Sequence, residues 1–67
     1  AVHYQLGLSY ARSGRPEEAV RVLREVYRHC LAAVGDPEVR RLALRVRREL
    51  AAAYRAAGRP QAVAALR

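Results

Sequence analysis

Two stretches decide the fold: Leu6-Gly7-Leu8-Ser9-Tyr10-Ala11-Arg12-Ser13-Gly14-Arg15-Pro16 and Leu50-Ala51-Ala52-Ala53-Tyr54-Arg55-Ala56-Ala57-Gly58-Arg59-Pro60. They lie 44 positions apart, so that Leu6 falls on Leu50, Gly7 on Ala51, Tyr10 on Tyr54, and one Gly-Arg-Pro turn on the other. Deleting one residue after the turn continues the match, with Glu18-Ala19-Val20 over Gln61-Ala62-Val63 and Leu23 over Leu66. A Leu, a small residue, a Tyr and a Gly-Arg-Pro turn, met twice in one order, mark an internal repeat of which the chain holds about one and a half units.

The periodicity says what each unit contains. From Pro16 to Val34 the apolar positions Ala19, Val20, Val22, Leu23, Val26, Tyr27, Cys30, Leu31 and Val34 recur at helical spacing, and Arg21, Arg24, Glu25 and Arg28 take the other face. Pro16 suits a first helical turn, and Glu17 and Glu18 suit its positive dipole end. Gly35-Asp36-Pro37 reads as a left-handed stop, an N-cap and a restart. A third helix is expected over 37–57, with Val39, Leu42, Ala43, Val46, Leu50, Ala53, Tyr54 and Ala57 on one side. The first helix is expected over 2–13, the second over 16–34, and a last one from 60 to 67. No segment alternates like a half-buried strand. The reading is all-α: one domain over 1–67 of antiparallel helix-turn-helix repeats, a fragment of an α-solenoid.

Composition narrows the function. The 67 residues suit one small domain, and 52% hydrophobic residues suit a packed one. No stretch approaches the roughly 20 apolar residues of a membrane span, and no basic segment followed by an apolar run reads as a signal peptide. A single cysteine, Cys30, makes an internal disulfide impossible and points to a reducing cytoplasm. A chain that starts at Ala1 and lacks Met is expected to be a piece of a longer protein. The formal charge is +7 and every cationic side chain is Arg, with no Lys. Codon bias in a GC-rich genome accounts for such Arg use, which points to a bacterial source.

These residues resemble the tetratricopeptide repeat. That family places an aromatic, then Leu and a small residue, then Tyr, on a first helix; a Gly turn follows, and an acidic-Ala pair opens the second helix. His3, Leu6, Gly7, Tyr10, Gly14, Glu18 and Ala19 fall on those positions, and Arg47, Leu50, Ala51, Tyr54, Gly58, Gln61 and Ala62 do so in the second unit. His3 and Arg47 replace the opening aromatic. The period of 44 exceeds the commoner value of about 34, and is similar to the long-period variants of kinesin light chains and bacterial regulators. The resemblance implies a right-handed superhelix with a concave groove lined by first helices. Its groove-facing positions would be Tyr4, Leu8, Ala11 and Arg12 from the first helix, and Arg48, Ala52 and Arg55 from the third. It implies a protein or peptide partner, within a regulatory or signalling protein, and no enzyme activity.

Chemistry is poorly provided for. His29 and Cys30 are neighbours about 100° apart on a helix, which would point them to different faces, so no metal site is expected. Ser9, Ser13 and Cys30 lack a Gly-rich elbow or a spaced His and acid. No phosphate-cradling loop is present and no cofactor is expected. The arginines Arg40, Arg41, Arg45, Arg48 and Arg55 share one side of the third helix. Three readings of that side stay open: a solvated face with an Arg45-Glu49 pair, a dock for an acidic partner, or a nucleic-acid contact. Leu44, among them, is expected to meet a neighbouring repeat. With fewer than about three repeats, the chain is also expected to self-associate or to depend on missing neighbours.

Overall fold

The structure is a computed structural model and describes residues 2–33 and 35–66, with Val2 by its backbone alone. It contains α1 (Val2–Arg12), α2 (Pro16–Ala32), α3 (Pro37–Ala56) and a terminal 3-10 helix (Pro60–Ala65). No strand occurs among the described residues. Val34, assigned to the second helix from its spacing, lies outside the described residues, as does Arg67. Gly35, expected as a left-handed stop, follows Val34 and is exposed.

Local chemistry sets each boundary. At the end of α1 the Arg15 N–H donates to Tyr10 O at 2.9 Å and the Gly14 N–H to Ala11 O at 3.4 Å, with Gly14 at a φ of 74°. This is the Schellman arrangement, in which a left-handed residue lets the chain turn while satisfying the last carbonyls. The end of α3 repeats it: Arg59 N–H to Tyr54 O at 2.8 Å, Gly58 N–H to Arg55 O at 3.1 Å, and Gly58 at 76°. Pro16 and Pro37 each occupy a first helical turn. Asp36 caps α3, its Oδ1 accepting from the Glu38 N–H at 2.9 Å.

The second unit departs from the first just after its turn. Ala19 N–H donates to Arg15 O, four residues back, and an α-helix follows. The equivalent Ala62 N–H donates to Arg59 O, three residues back, and a 3-10 helix follows. The single residue deleted between the two copies removes one position from the ring that the first hydrogen bond closes. The last helix, expected over 60–67, is found as a 3-10 helix over Pro60–Ala65.

Packing is sequential: α1 lies on α2, α2 on α3, and α3 on the 3-10 helix, while α1 and α3 barely touch. The core joins Ala19, Val20, Leu23, Val26, Tyr27 and Cys30 of α2 to Ala43, Val46, Leu50, Ala53 and Tyr54 of α3. Gly7 supplies the closest approach of α1, since a Cβ there would stand 2.7 Å from Leu23 Cδ2. Two leucines at apolar positions of the helical pattern stand exposed. Leu6 is 41% exposed although its equivalent Leu50 is 0% exposed, and Leu31 is 45% exposed. For Leu6 the reason is neighbours: α3 has α2 on one side and the 3-10 helix on the other, whereas α1 has α2 alone as an extensive contact.

Candidate binding surface

Four of the seven positions read as groove-facing come together. Tyr4, Leu8, Ala11 and Arg12 line one open concavity of about 350 Å³, and α3 closes its far side with Glu49. The spacing 4, 8, 11, 12 puts them on one face of α1, where Tyr4 also packs against the core and Leu8 is half-buried. Arg48, Ala52 and Arg55 do not join them. All three are exposed on α3 and none lines this concavity. Equivalent positions on two parallel helices point the same way, so they cannot face each other across the valley between. The valley wall belongs to the next flank of α3, and that flank carries Glu49.

Glu49 is the residue that sequence reasoning placed elsewhere. It was expected to pair with Arg45, four residues before it. The described residues form three ion pairs, Arg15–Glu18, Arg28–Glu25 and Arg59–Glu17, and Arg45–Glu49 is not among them. Arg45 is exposed while Glu49 is half-buried, so the two side chains sit in different surroundings. The concavity is thus mixed in charge, with one Arg and one Glu, and not uniformly basic.

A larger concavity of about 460 Å³ opens over α2, lined by Val22, Val26, Cys30, Val39 and Leu42 with His3, Arg21, Glu25 and His29 around them. It lies where α3 has no match in α1: in the repeat register Val46 is the equivalent of Val2, so Pro37–Arg45 stands unopposed. His29 is exposed and Cys30 buried, as expected of residues on different faces, yet both line this one hollow together with His3. The hollow spans parts of two faces of α2, wide enough to take in neighbours 100° apart. Among the described residues no three His, Cys, Asp or Glu side chains gather as metal ligands would. Burial pushes the Cys30 thiol above its ordinary pKa, which disfavours the thiolate that nucleophilic chemistry needs.

Helical hairpins stacked one on the next, joined by a repeated glycine turn, define a helical-repeat protein. Residues 1–25, covering α1 and the first half of α2, match the sequence model of the tetratricopeptide repeat. Repeats of this family are protein–protein interaction modules and a non-enzymatic scaffold type. The second unit lies beyond the matched stretch. Neither the curated proteins nor the solved structures give a match to this chain. No helix among the described residues is long and apolar enough to cross a membrane.

Proposed function

We propose that the chain is a protein-binding module, in the long-period form of the repeat, of a larger cytoplasmic regulatory or signalling protein. It holds a peptide segment of its partner in the valley between α1 and α3. The observation that carries this reading is the convergence of Tyr4, Leu8, Ala11 and Arg12 with Glu49 in one open concavity. The Tyr4 ring and Leu8 supply apolar contact, the small Ala11 admits a partner's backbone, and Arg12 and Glu49 accept groups of either charge at the rim. Arg48, Ala52 and Arg55 form a second, outer row that a longer guest would reach.

The test is selection of binding peptides from a random library, followed by measurement against Tyr4→Ala and Leu8→Ser. Selected peptides should lose most of their affinity to both variants while the variants keep the helical fold. Peptides that bind the variants as well as the original would sink the proposal. The charge of +7 supports a second reading, a basic hairpin on a nucleic-acid backbone. Its signature would be affinity falling steeply with salt, in proportion to phosphate contacts.

A further inference from the structure

We propose that the face of the α2–α3 pair turned away from α1 docks an acidic amphipathic helix. This surface is separate from the valley that holds the proposed peptide. Arg40, Ala43, Leu44 and Arg47 of α3, together with Tyr27 and Leu31 of α2, line a shallow hollow of about 320 Å³ to which α1 contributes nothing. Leu44 is 66% and Leu31 45% exposed, so two of the three exposed large apolar side chains of the described residues stand in this one place.

Spacing and charge name the occupant. Arg40, Leu44 and Arg47 fall at i, i+4 and i+7, a single stripe along α3. Their backbone positions therefore stand about 10 Å apart along the helix axis, with Leu44 between them. No carboxylate lines the hollow, and neither Arg40 nor Arg47 enters any of the three ion pairs among the described residues. A helix with carboxylates seven residues apart and leucines between them would match this stripe by position and by charge. Arg forks take such carboxylates bidentately. A second copy fits poorly, because each copy carries the same formal charge of +7 and would bring arginines to arginines.

The probe is a synthetic helical peptide with glutamates at i and i+7 and leucines at i+3 and i+4, followed by fluorescence anisotropy. A control peptide carries Gln for each Glu, and a third carries Lys. The Glu peptide should bind, the Gln peptide at least tenfold more weakly, and Leu44→Ser or Arg47→Glu should each weaken the Glu peptide about tenfold. The double variant Arg40→Glu/Arg47→Glu should instead select the Lys peptide, a reversal that lost folding cannot mimic. Tyr4→Ala should leave all of this unchanged, which separates the surface from the valley. Equal binding of Glu and Gln peptides, loss of binding in Tyr4→Ala, or a Leu44-dependent dimer in sedimentation that the Glu peptide fails to dissociate would overturn the proposal.

Discussion

Gly14 and Gly58, 44 positions apart, hold φ angles of 74° and 76° and close the same pair of backbone hydrogen bonds. Nothing stands within 4 Å of the Cβ that either would carry, so the demand for glycine at both is conformational and not steric. Substituting Ala at either site should cost about 1–2 kcal/mol, the left-handed penalty for an L residue. Asn, which tolerates that region, should cost less. Urea unfolding of the four variants checks both the size and the order.

Gly7 makes the opposite demand. An alanine Cβ there would meet Leu23 Cδ2 at 2.7 Å and Cγ at 2.8 Å, and Leu23 is 0% exposed with no room to retreat. Overpacking should outweigh the roughly 1 kcal/mol that Ala gains as a helix former, leaving Gly7→Ala destabilised by about 1–2 kcal/mol. In a Leu23→Ala background, itself down by about 2–5 kcal/mol, the same change should become neutral or favourable. A thermal-unfolding cycle over the two sites measures the coupling; additive effects would contradict the contact.

Restoring the missing residue should turn the 3-10 helix into an α-helix. Inserting one Glu between Pro60 and Gln61 gives the second turn the spacing of Pro16-Glu17-Glu18-Ala19. The Ala62 N–H would then sit four residues beyond Arg59, and the terminal segment should become α-helical. Carbon chemical shifts of that segment report the change, and unchanged shifts would show that the deletion is not the cause.

Arg59 reaches across the stack to Glu17 at 3.0 Å and ties the turn after α3 to the start of α2. Both side chains are more than half exposed, at 57% and 68%, so water and salt screen the pair strongly. Arg59→Ala should cost no more than about 1 kcal/mol. The difference from the original chain should vanish in high salt.

Cys30 lies 5% exposed in the core, and burial raises its pKa from the ordinary 9.0. In the unfolded chain the thiol ionises at the lower, ordinary value, so the protonated folded form is favoured fully below it. That stability is lost as pH rises through the raised folded value. Stability should therefore fall on the alkaline side more steeply in the original chain than in Cys30→Ala. Alkylation of the thiol at neutral pH should track unfolding instead of the thiolate fraction.

Much of this architecture can be read from residue order alone. The helical period of α2 and α3, the turns at Gly14 and Gly58, the Asp36 cap and the repeat itself are local properties, set by torsional preference and by hydrogen bonds over three to five residues. The candidate surface was half legible. Tyr4, Leu8, Ala11 and Arg12 share one face of one helix, so spacing alone groups them. Arg48, Ala52 and Arg55 group equally well on α3, yet the valley takes Glu49 instead.

Sequence by itself determined which residues could be helical, where the glycine turns fall, and which side of α2 and α3 is apolar. Only the tertiary structure decided which apolar sides find a neighbour: Leu50 is sealed while its equivalent Leu6 is 41% exposed, and Leu31 and Leu44 stand open beside Arg40 and Arg47. The physical reason is range. A helix is specified by hydrogen bonds a few residues long, but burial and the walls of a groove depend on what lies across the gap, and the pattern within one helix carries no record of it.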